Sequence, residues 1–353
     1  MTPSSVALEL PRARLRLAAP AFALAILGVS LFTLSYGQVA LGLERLIAGL
    51  FAPDSDPIAA QIVRDIRLPR VATGIVAGAA LGMSGVLMQA LFRNPMADAW
   101  SLGLLAGGQL GVALVVTAAA FAGPAAIAFL TNFQGIGLTT GALIGVAAFA
   151  AAMAALSRRV GNITLLVVGL MLGFTVHGLV SVIMHFANRI GGRVYSGWND
   201  GTFASTTFDD LGFLVAPVVL GLVVAIASAK GLSALLLGET YARSMGTDVR
   251  RLRWLTLGAV VLMVAPVTAY CGPVTFIGLI VPHFARALAR TSQILPLLPL
   301  AALSGALLAL TADAIVHLPW EQHFLHLNAI LALAGAPAVI GLLLFRPSLR
   351  GSA

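Results

Sequence analysis

The charged side chains that could act on a partner are concentrated in one stretch, residues 229–254, AKGLSALLLGETYARSMGTDVRRLRW. We call this stretch the basic loop; it lies between two long apolar runs and holds Lys230, Arg243, Arg250, Arg251 and Arg253. These residue types suit binding to another protein rather than catalysis, because no nucleophile with an adjacent base is found among them.

Glycines divide the basic loop. Gly238 ends a short apolar segment, residues 239–245 can form two helical turns, and Gly246 suits the left-handed residue that ends a helix. Thr247 and Asp248 then favour an N-cap for the next helix. The pattern predicts two short helices parallel to a membrane, forming a surface by which a cytoplasmic motor protein moves this chain. A basic loop that only fixes topology is the alternative.

Few other residues could carry chemistry. Cys271 is the single cysteine, which excludes a disulfide within the chain and a cysteine-based zinc site. No GxxxxGK[ST] motif occurs, so an ATPase that powered this protein would be a separate subunit. His317, His323 and His326 are spaced by six and three residues, which defines no coordination site. The sequence predicts no catalytic residue and no metal ligand.

Two polar residues lie within apolar runs. Asp313 could couple transport to protons, because acids in a bilayer are costly and often functional; a structural hydrogen bond is the simpler interpretation. His283 follows Pro282, and we expect it to satisfy the backbone of a broken helix rather than to bind a metal.

Composition sets the protein class. Hydrophobic residues make up 59% and charged residues 10% of the 353 residues, and mean hydropathy is +0.99. Soluble domains carry about 25% charged residues, so we expect a polytopic helical membrane protein without a sizeable soluble domain. The net charge of +8 comes mostly from arginines at the ends of apolar runs, which is typical of helix orientation rather than nucleic-acid binding.

Ten membrane helices are predicted from apolar runs long enough to cross a bilayer. Residues 36–66 and 187–210 are predicted external segments, the second with a short helix. The eighth run is too short to span and is expected to be re-entrant. The predicted runs are about 17–34, 71–92, 102–121, 137–156, 163–185, 211–227, 255–270, 276–287, 295–318 and 329–345.

Charge distribution predicts that both termini are cytoplasmic. With that orientation 15 of the 21 Lys and Arg residues fall on the inner side, and the opposite orientation inverts the ratio. Five runs before and five after residues 187–210 suggest two pseudo-symmetric halves. Residues 1–353 are therefore predicted to form one transmembrane domain, with a membrane bundle at 17–345 and the basic loop, 229–254, on the cytoplasmic side.

Five motifs resemble the FecCD family of permease subunits of bacterial importers for ferric siderophores, haem and cobalamin. They occur in the family's order and spacing over residues 67–345. The motifs are RLPRVATGIVAGAALGMSGVLMQALFRNPMAD (67–98), LLLGETYARSMGTDVRRLR (235–253), GPVTFIGLIVPHFAR (272–286), the Ala312-Asp313 pair and GAPAVIGLLLF (335–345).

The resemblance implies an all-α type II ABC importer in the bacterial inner membrane. Two permease copies would form a homodimer, two ABC ATPase subunits would use ATP and Mg²⁺ beneath them, and a periplasmic binding protein would deliver the ligand. This chain would bind no cofactor. The residues carried over to the ATPase contact are Gly238, Glu239, Arg243 and Gly246, since a glycine-jointed charged segment can transmit a rigid-body displacement.

The resemblance also assigns external residues. Arg67 and Arg70 match arginines that pair with carboxylates on the binding protein, in exposed pairs that set orientation and on-rate; lipid anchoring is the alternative. His317 stands where the family commonly has arginine, so docking there is expected to be weaker or pH-dependent, because histidine is mostly neutral at pH 7.

The cargo is predicted only by class. Met83, Met88, Phe92 and Phe174 are candidates for lining a pathway for a bulky ligand, although such residues usually pack in a bundle core. A ferric siderophore is the first expectation because it is the family's commonest ligand; haem and cobalamin are alternatives. An ion-coupled secondary transporter is the alternative from another functional class, and Asp313 is its candidate ion-coupling residue.

Overall fold

The computed structural model describes residues 3–37, 39–132, 136–157, 159–187, 189–318 and 325–345, and this part of the chain contains helices but no strand. The α-helices are α1 (Pro3–Ser35), α2 (Leu43–Phe51), α3 (Pro57–Ala60), α4 (Leu68–Phe92), α5 (Leu104–Ala122), α6 (Pro124–Asn132), α7 (Ile136–Leu156), α8 (Asn162–Phe186), α9 (Arg189–Asn199), α10 (Phe208–Leu236), α11 (Glu239–Ser244), α12 (Val249–Cys271), α13 (Ile277–Ala289), α14 (Ile294–Val316) and α15 (Leu327–Phe345). A π-helical segment, Gln61–Arg67, joins α3 to α4. The predicted all-α polytopic fold is confirmed.

Eight helices in the described part of the chain are long and apolar enough to cross a membrane. They are α1, α4, α5, α7, α8, α10, α12 and α14, where the sequence predicts spans. The predicted short eighth run is α13, with 13 residues, and the predicted tenth run is α15. Helix α9 lies within the predicted external segment 187–210.

Helix α4 is the centre of the bundle and packs against α10, α12, α13 and α14. Its glycines permit this contact, because a Cβ atom at Gly78 would collide with the backbone of Gly305 on α14. Gly85 meets Gly278 of α13 in the same way. Small residues are common where helices meet in a bilayer. An apolar side chain gains little free energy when it moves from lipid to a helix contact, so close packing stabilises the contact instead.

In each half of the chain, the second membrane-length helix is the most buried. The α4 span is 78% buried and the α12 span 67%, whereas the first spans of the two halves, in α1 and α10, are 22% and 28% buried. The same order of burial in residues before and after α9 agrees with two related halves.

The helix that contains α4 begins earlier than the sequence predicts. Pro57 lies within the predicted external segment 36–66, but it occupies the first turn of α3, and the Asp56 side chain caps that turn by accepting from the Ala59 N–H at 3.0 Å. Proline is favoured at this position because its missing N–H has no intrahelical partner there. Helical structure is therefore continuous from Pro57 to Phe92.

The basic loop contains one short helix, and the prediction of two is wrong. Residues 229–236 belong to α10, which continues to Leu236. The reason is tertiary: Ala229, Leu232 and Leu235 recur on one face of α10 and are buried in the main core, so packing extends the helix beyond the membrane-length run.

Candidate functional site

The exposed part of the basic loop is defined by two glycines with positive φ. Gly238, at φ 127°, precedes α11, and Gly246, at φ 79°, follows it. Such angles are strained for a residue with a Cβ atom. Asp248 then caps α12 by accepting from the N–H groups of Arg250 and Arg251, as predicted for the cap. Helix α11 is thus a separate turn of chain between α10 and α12.

Glu239 connects α11 to α12. Its carboxylate accepts from Arg243 at 2.9 Å and from Arg253 at 3.2 Å. The hydrogen bond from Arg243 is the main cause that lowers the pKa of Glu239, so the carboxylate stays ionised at neutral pH. All three residues lie in the same sequence motif, but the pairing of Arg253 with Glu239, fourteen residues away, is set by the fold.

A groove lies beside this ion-pair network. It has a volume of about 300 Å³ and is lined by Ser157, Glu239, Arg243, Val249, Arg250, Arg253 and Trp254. Three arginines against one acid give it a positive lining. Ser157 follows α7, so the groove extends from the basic loop to the end of α7.

Large apolar side chains surround the charges. Leu237, Tyr241 and Met245 are four residues apart and are 70%, 45% and 64% exposed, while Ala242 is buried in the main core. An apolar surface next to a charged groove is typical of a contact with another protein. Helix α11 therefore has one face packed on the core of the bundle, through Ala242, and one exposed apolar face that a partner could contact.

Arg67 and Arg70 are buried, and the prediction that they form solvent-exposed pairs is wrong. They are 5% and 6% exposed. Arg67 donates to the Leu34 carbonyl at 2.5 Å and also to the Val39 carbonyl, and so it holds the end of α1 against the π-helical segment.

Arg70, Asp313 and His317 form a cluster between α4 and α14. The Arg70 Nε atom lies 3.0 Å from Asp313 Oδ2, although this contact does not meet hydrogen-bond geometry. His317 Nδ1 lies 3.3 Å from Asp313 Oδ1 and 2.9 Å from the Asp313 carbonyl oxygen. Asp313 therefore has a polar neighbour on each side, Arg70 and His317, which supports a structural role for this acid.

The other histidines have separate surroundings. His326 faces Asp200 at 3.3 Å, and His283 Nε2 contacts the Pro95 carbonyl oxygen at 2.9 Å. This carbonyl belongs to the segment after α4 and not to the helix that contains Pro282, so His283 connects two segments rather than satisfying the backbone of its own helix. His323 lies outside the described residues. Within the described part of the chain, no group of three His, Cys, Asp or Glu side chains could hold a metal ion.

Three of the four pathway candidates are packing residues in this structure. Met83, Met88 and Phe92 are at most 5% exposed and belong to the main core, so they line no open passage of the single chain. Phe174 is 55% exposed. Its ring meets Trp100 edge-on, with 6.5 Å between ring centroids.

Sequence reasoning missed two features of the surface. Arg189 and Arg193, four residues apart on α9, are exposed, and no acid pairs with them among the residues that the structure describes. His177 lies on α8 in a small cavity of about 20 Å³ that is lined by Trp100, Ala106, Gln109, Leu170, Gly173, Phe174 and His177. The sequence signal that could have identified His177 is an imidazole in the middle of an apolar run.

Comparisons with known proteins agree with the resemblance. The FecCD transport family matches residues 24–345. The vitamin B12 import system permease protein BtuC of Vibrio cholerae is 32% identical over 287 residues, 80% of this chain and 82% of that protein. The molybdate import system permease protein MolB of Haemophilus influenzae is 28% identical over 323 residues, 91% of this chain and 90% of that protein.

A solved structure is also similar. It is described as a metal-chelate type ABC transporter in an inward-facing conformation, and it superimposes with a TM-score of 0.78 at 26% identity. The match covers 92% of this chain and 97% of that chain.

Proposed function

Since the chain belongs to the FecCD transport family and is a permease of an ABC importer, we propose that it passes a bulky organic metal complex into the cell, with a ferric siderophore as the first candidate. Cobalamin is the second candidate, because the similar BtuC proteins carry that name. Haem belongs to the same chemical class. Transport is powered by the separate ATPase.

The observation that carries the choice of an organic complex is the chemistry of α5 and α8. Neither helix contains an Asp, Glu, Lys or Arg residue. The open side of α8 presents Phe174 next to Trp100, which is 44% exposed. Aromatic rings suit the apolar surface of a large ligand, whereas a small oxyanion requires cations or several aligned donors.

The basic loop is the proposed contact with the ATPase. Gly238 and Gly246 delimit α11, and Glu239 and Arg243 supply charge on it. The exposed Leu237, Tyr241 and Met245 would provide the apolar part of the interface. Because Glu239 also binds Arg253, a force on α11 would pass directly to α12 and hence to the core of the bundle.

The proposed assembly has two copies of this permease, two ATPase subunits on the cytoplasmic side and a binding protein outside. The termini and the basic loop are cytoplasmic in this arrangement, as the charge distribution predicts. Arg67, Arg70 and His317 then lie at the outer end. Their burial or partial burial favours a supporting role for them, and it makes the exposed Arg189 and Arg193 on α9 better candidates for docking.

Uptake by the reconstituted complex tests the proposed cargo. The permease, its cognate ATPase and its binding protein are placed in liposomes with a ferric siderophore, haem, cobalamin or molybdate outside. We expect uptake of one organic complex, dependent on ATP inside the liposomes, and no uptake of molybdate. A hydrolysis-deficient ATPase is the control. Molybdate uptake would contradict the cargo class, and uptake without the ATPase would favour a secondary transporter.

Reversing the charge of α9 tests the docking surface. In the variant with Arg189→Glu and Arg193→Glu we expect the association rate of the binding protein to fall about tenfold at low salt, since charge complementarity acts mainly on the on-rate. The effect should shrink near 0.5 M salt because the charges are screened. Stopped-flow or surface-binding kinetics measure both. Arg159→Glu, an exposed reversal outside α9, is the matched control; equal rates in both variants would remove α9 from the docking surface.

A further inference from the structure

His177 is an exposed polar side chain near the middle of a membrane helix. It lies within one turn of the centre of α8, a 25-residue helix. No described residue gives its imidazole a hydrogen bond or a carboxylate partner. A polar group of this kind is costly in contact with hydrocarbon and normally faces a bundle interior or a water-filled cavity. We therefore expect water or another part of the protein, rather than lipid, next to His177 on this side of α8.

The backbone beside His177 points to the same conclusion. Residues 93–103, which connect α4 to α5, form turns and irregular backbone rather than a helix. A Cβ atom on Gly169 of α8 would lie 3.0 Å from the Cα atom of Leu102, so this segment reaches well into the length of α8. Irregular backbone at membrane depth is found only where it is buried in protein or lines a water-filled cavity.

Polar groups continue along this side of the bundle. Gln109 lines the cavity with His177, and its Nε2 atom donates to Asn199 Oδ1 at 2.8 Å. Asn199 ends α9 and precedes Asp200, which faces the exposed His326 at 3.3 Å. The imidazole is thus one end of a series of polar side chains that leads from α8 to α9 and to His326, just before α15.

The opposite side of α8 has a different character. Leu179 lies two residues beyond His177, and at 3.6 residues per turn its side chain points away from the cavity. It is 47% exposed and has the apolar character that suits lipid. The helix therefore separates a polar, aromatic side from an apolar side.

We propose that His177 lies on the wall of the translocation pathway and, with the rings of Trp100 and Phe174, makes a transient contact with carboxylate or carbonyl groups at the edge of an organic metal complex. This inference rests on the proposed function. The imidazole supplies an N–H donor, and the two rings contact the apolar part of the ligand. A single weak polar contact fits a pathway from which the ligand must be released.

Cysteine accessibility tests the position of His177. Cys271 is the one cysteine of the chain and is 1% exposed, so Cys271→Ala provides a cysteine-free background. His177→Cys and Leu179→Cys are introduced separately, and each full complex in nanodiscs is treated with a charged methanethiosulfonate. The thiolate displaces the sulfinate group of the reagent and forms a mixed disulfide, which mass spectrometry counts.

We expect modification of His177→Cys at least tenfold faster than that of Leu179→Cys. The thiolate that reacts forms in water rather than in an apolar environment. Excess binding protein loaded with the transported complex, together with ATP, should slow the reaction at position 177. Equal rates at both positions, or no reaction at position 177 with and without ATP, would place His177 against lipid or a second copy and overturn the proposal.

A transport measurement tests the contact itself. His177→Phe should lower initial uptake about three- to tenfold, the effect of losing roughly one hydrogen bond, whereas His177→Gln, which keeps a donor and an acceptor, should stay within about twofold of the parent. Leu179→Phe is the control for added bulk and should transport normally. Normal uptake by His177→Phe would overturn the contact but leave the proposed function intact; absence of uptake by the parent complex would count against the proposed function instead.

Discussion

Glu239→Arg is expected to separate ATP hydrolysis from transport. The substitution places a third cation beside Arg243 and Arg253, which now bind the carboxylate at 2.9 and 3.2 Å. Helix α11 then loses its ion pair with α12, so a movement of α11 displaces the bundle less effectively. We expect uptake to fall at least tenfold, while ATPase activity of the complex persists without stimulation by the loaded binding protein.

Stability should change little in the same variant. Exposed ion pairs contribute about 0–1 kcal/mol each, and the Arg243 side chain is 67% exposed. Thermal unfolding of the purified permease and its retention of the ATPase on a column are therefore measured beside transport. Arg159→Glu is the control for a charge reversal at an exposed residue outside the basic loop. Normal stimulated ATPase activity and normal uptake by Glu239→Arg would remove the coupling role of this residue.

Asp313→Leu is expected to be a strongly destabilising single change. It leaves the Arg70 guanidinium buried without its carboxylate, and breaking a buried pair from one side costs about 3–5 kcal/mol. Both side chains are less than 10% exposed, so solvent screens this interaction little. A markedly lower unfolding temperature in detergent is the expected result, with a loss of folded yield in membranes.

The paired substitution separates charge from packing. Arg70→Met together with Asp313→Leu removes both charges and should recover most of the lost stability, because buried pairs replaced by apolar residues are often neutral or better. The exposed Arg45–Asp56 pair, at 2.7 Å, is the matched control, and Arg45→Met should leave the unfolding temperature nearly unchanged. If Asp313→Leu behaved like Arg45→Met, the buried cluster would have no structural role.

The double variant also bears on transport. If uptake returns with stability, Asp313 acts only as a partner of Arg70 and His317, and coupling to protons through this acid is excluded. If the double variant is stable but inactive, the charged cluster has a part in docking or in movement of α14. Uptake and unfolding measured on the same preparations distinguish these outcomes.

Membrane helices were predictable because their signal is local. The length of each apolar run gives a span regardless of its neighbours, and glycines such as Gly78 and Gly85 mark close contacts wherever the partner helix lies. Gly238 and Gly246 were predictable for a similar reason, since a positive φ is a property of a single residue. The length of α10 was not, because its last turns are stabilised by packing on α12 rather than by composition.

The arginines show the limit of the motif. Arg67 and Arg70 lie at the start of α4, where a helix end could be exposed or covered. Both arginines are buried because of residues far away in the sequence. Arg67 binds the Leu34 carbonyl at the end of α1, and Arg70 lies beside Asp313 on α14. The exposure of Arg189 and Arg193 is likewise a result of how α9 lies on α5, which periodicity cannot specify.

The amino-acid sequence by itself determined that this chain is a helical membrane bundle with a charged loop bounded by glycines, because each of these follows from the solubility or backbone freedom of neighbouring residues. Tertiary structure decided which polar side chains are paired and which are open: Arg70 is buried beside Asp313, the partly exposed Arg253 pairs with Glu239, and His177 is open on α8. Such pairings join residues from separate helices, and only the packing of those helices sets their distances and their access to water.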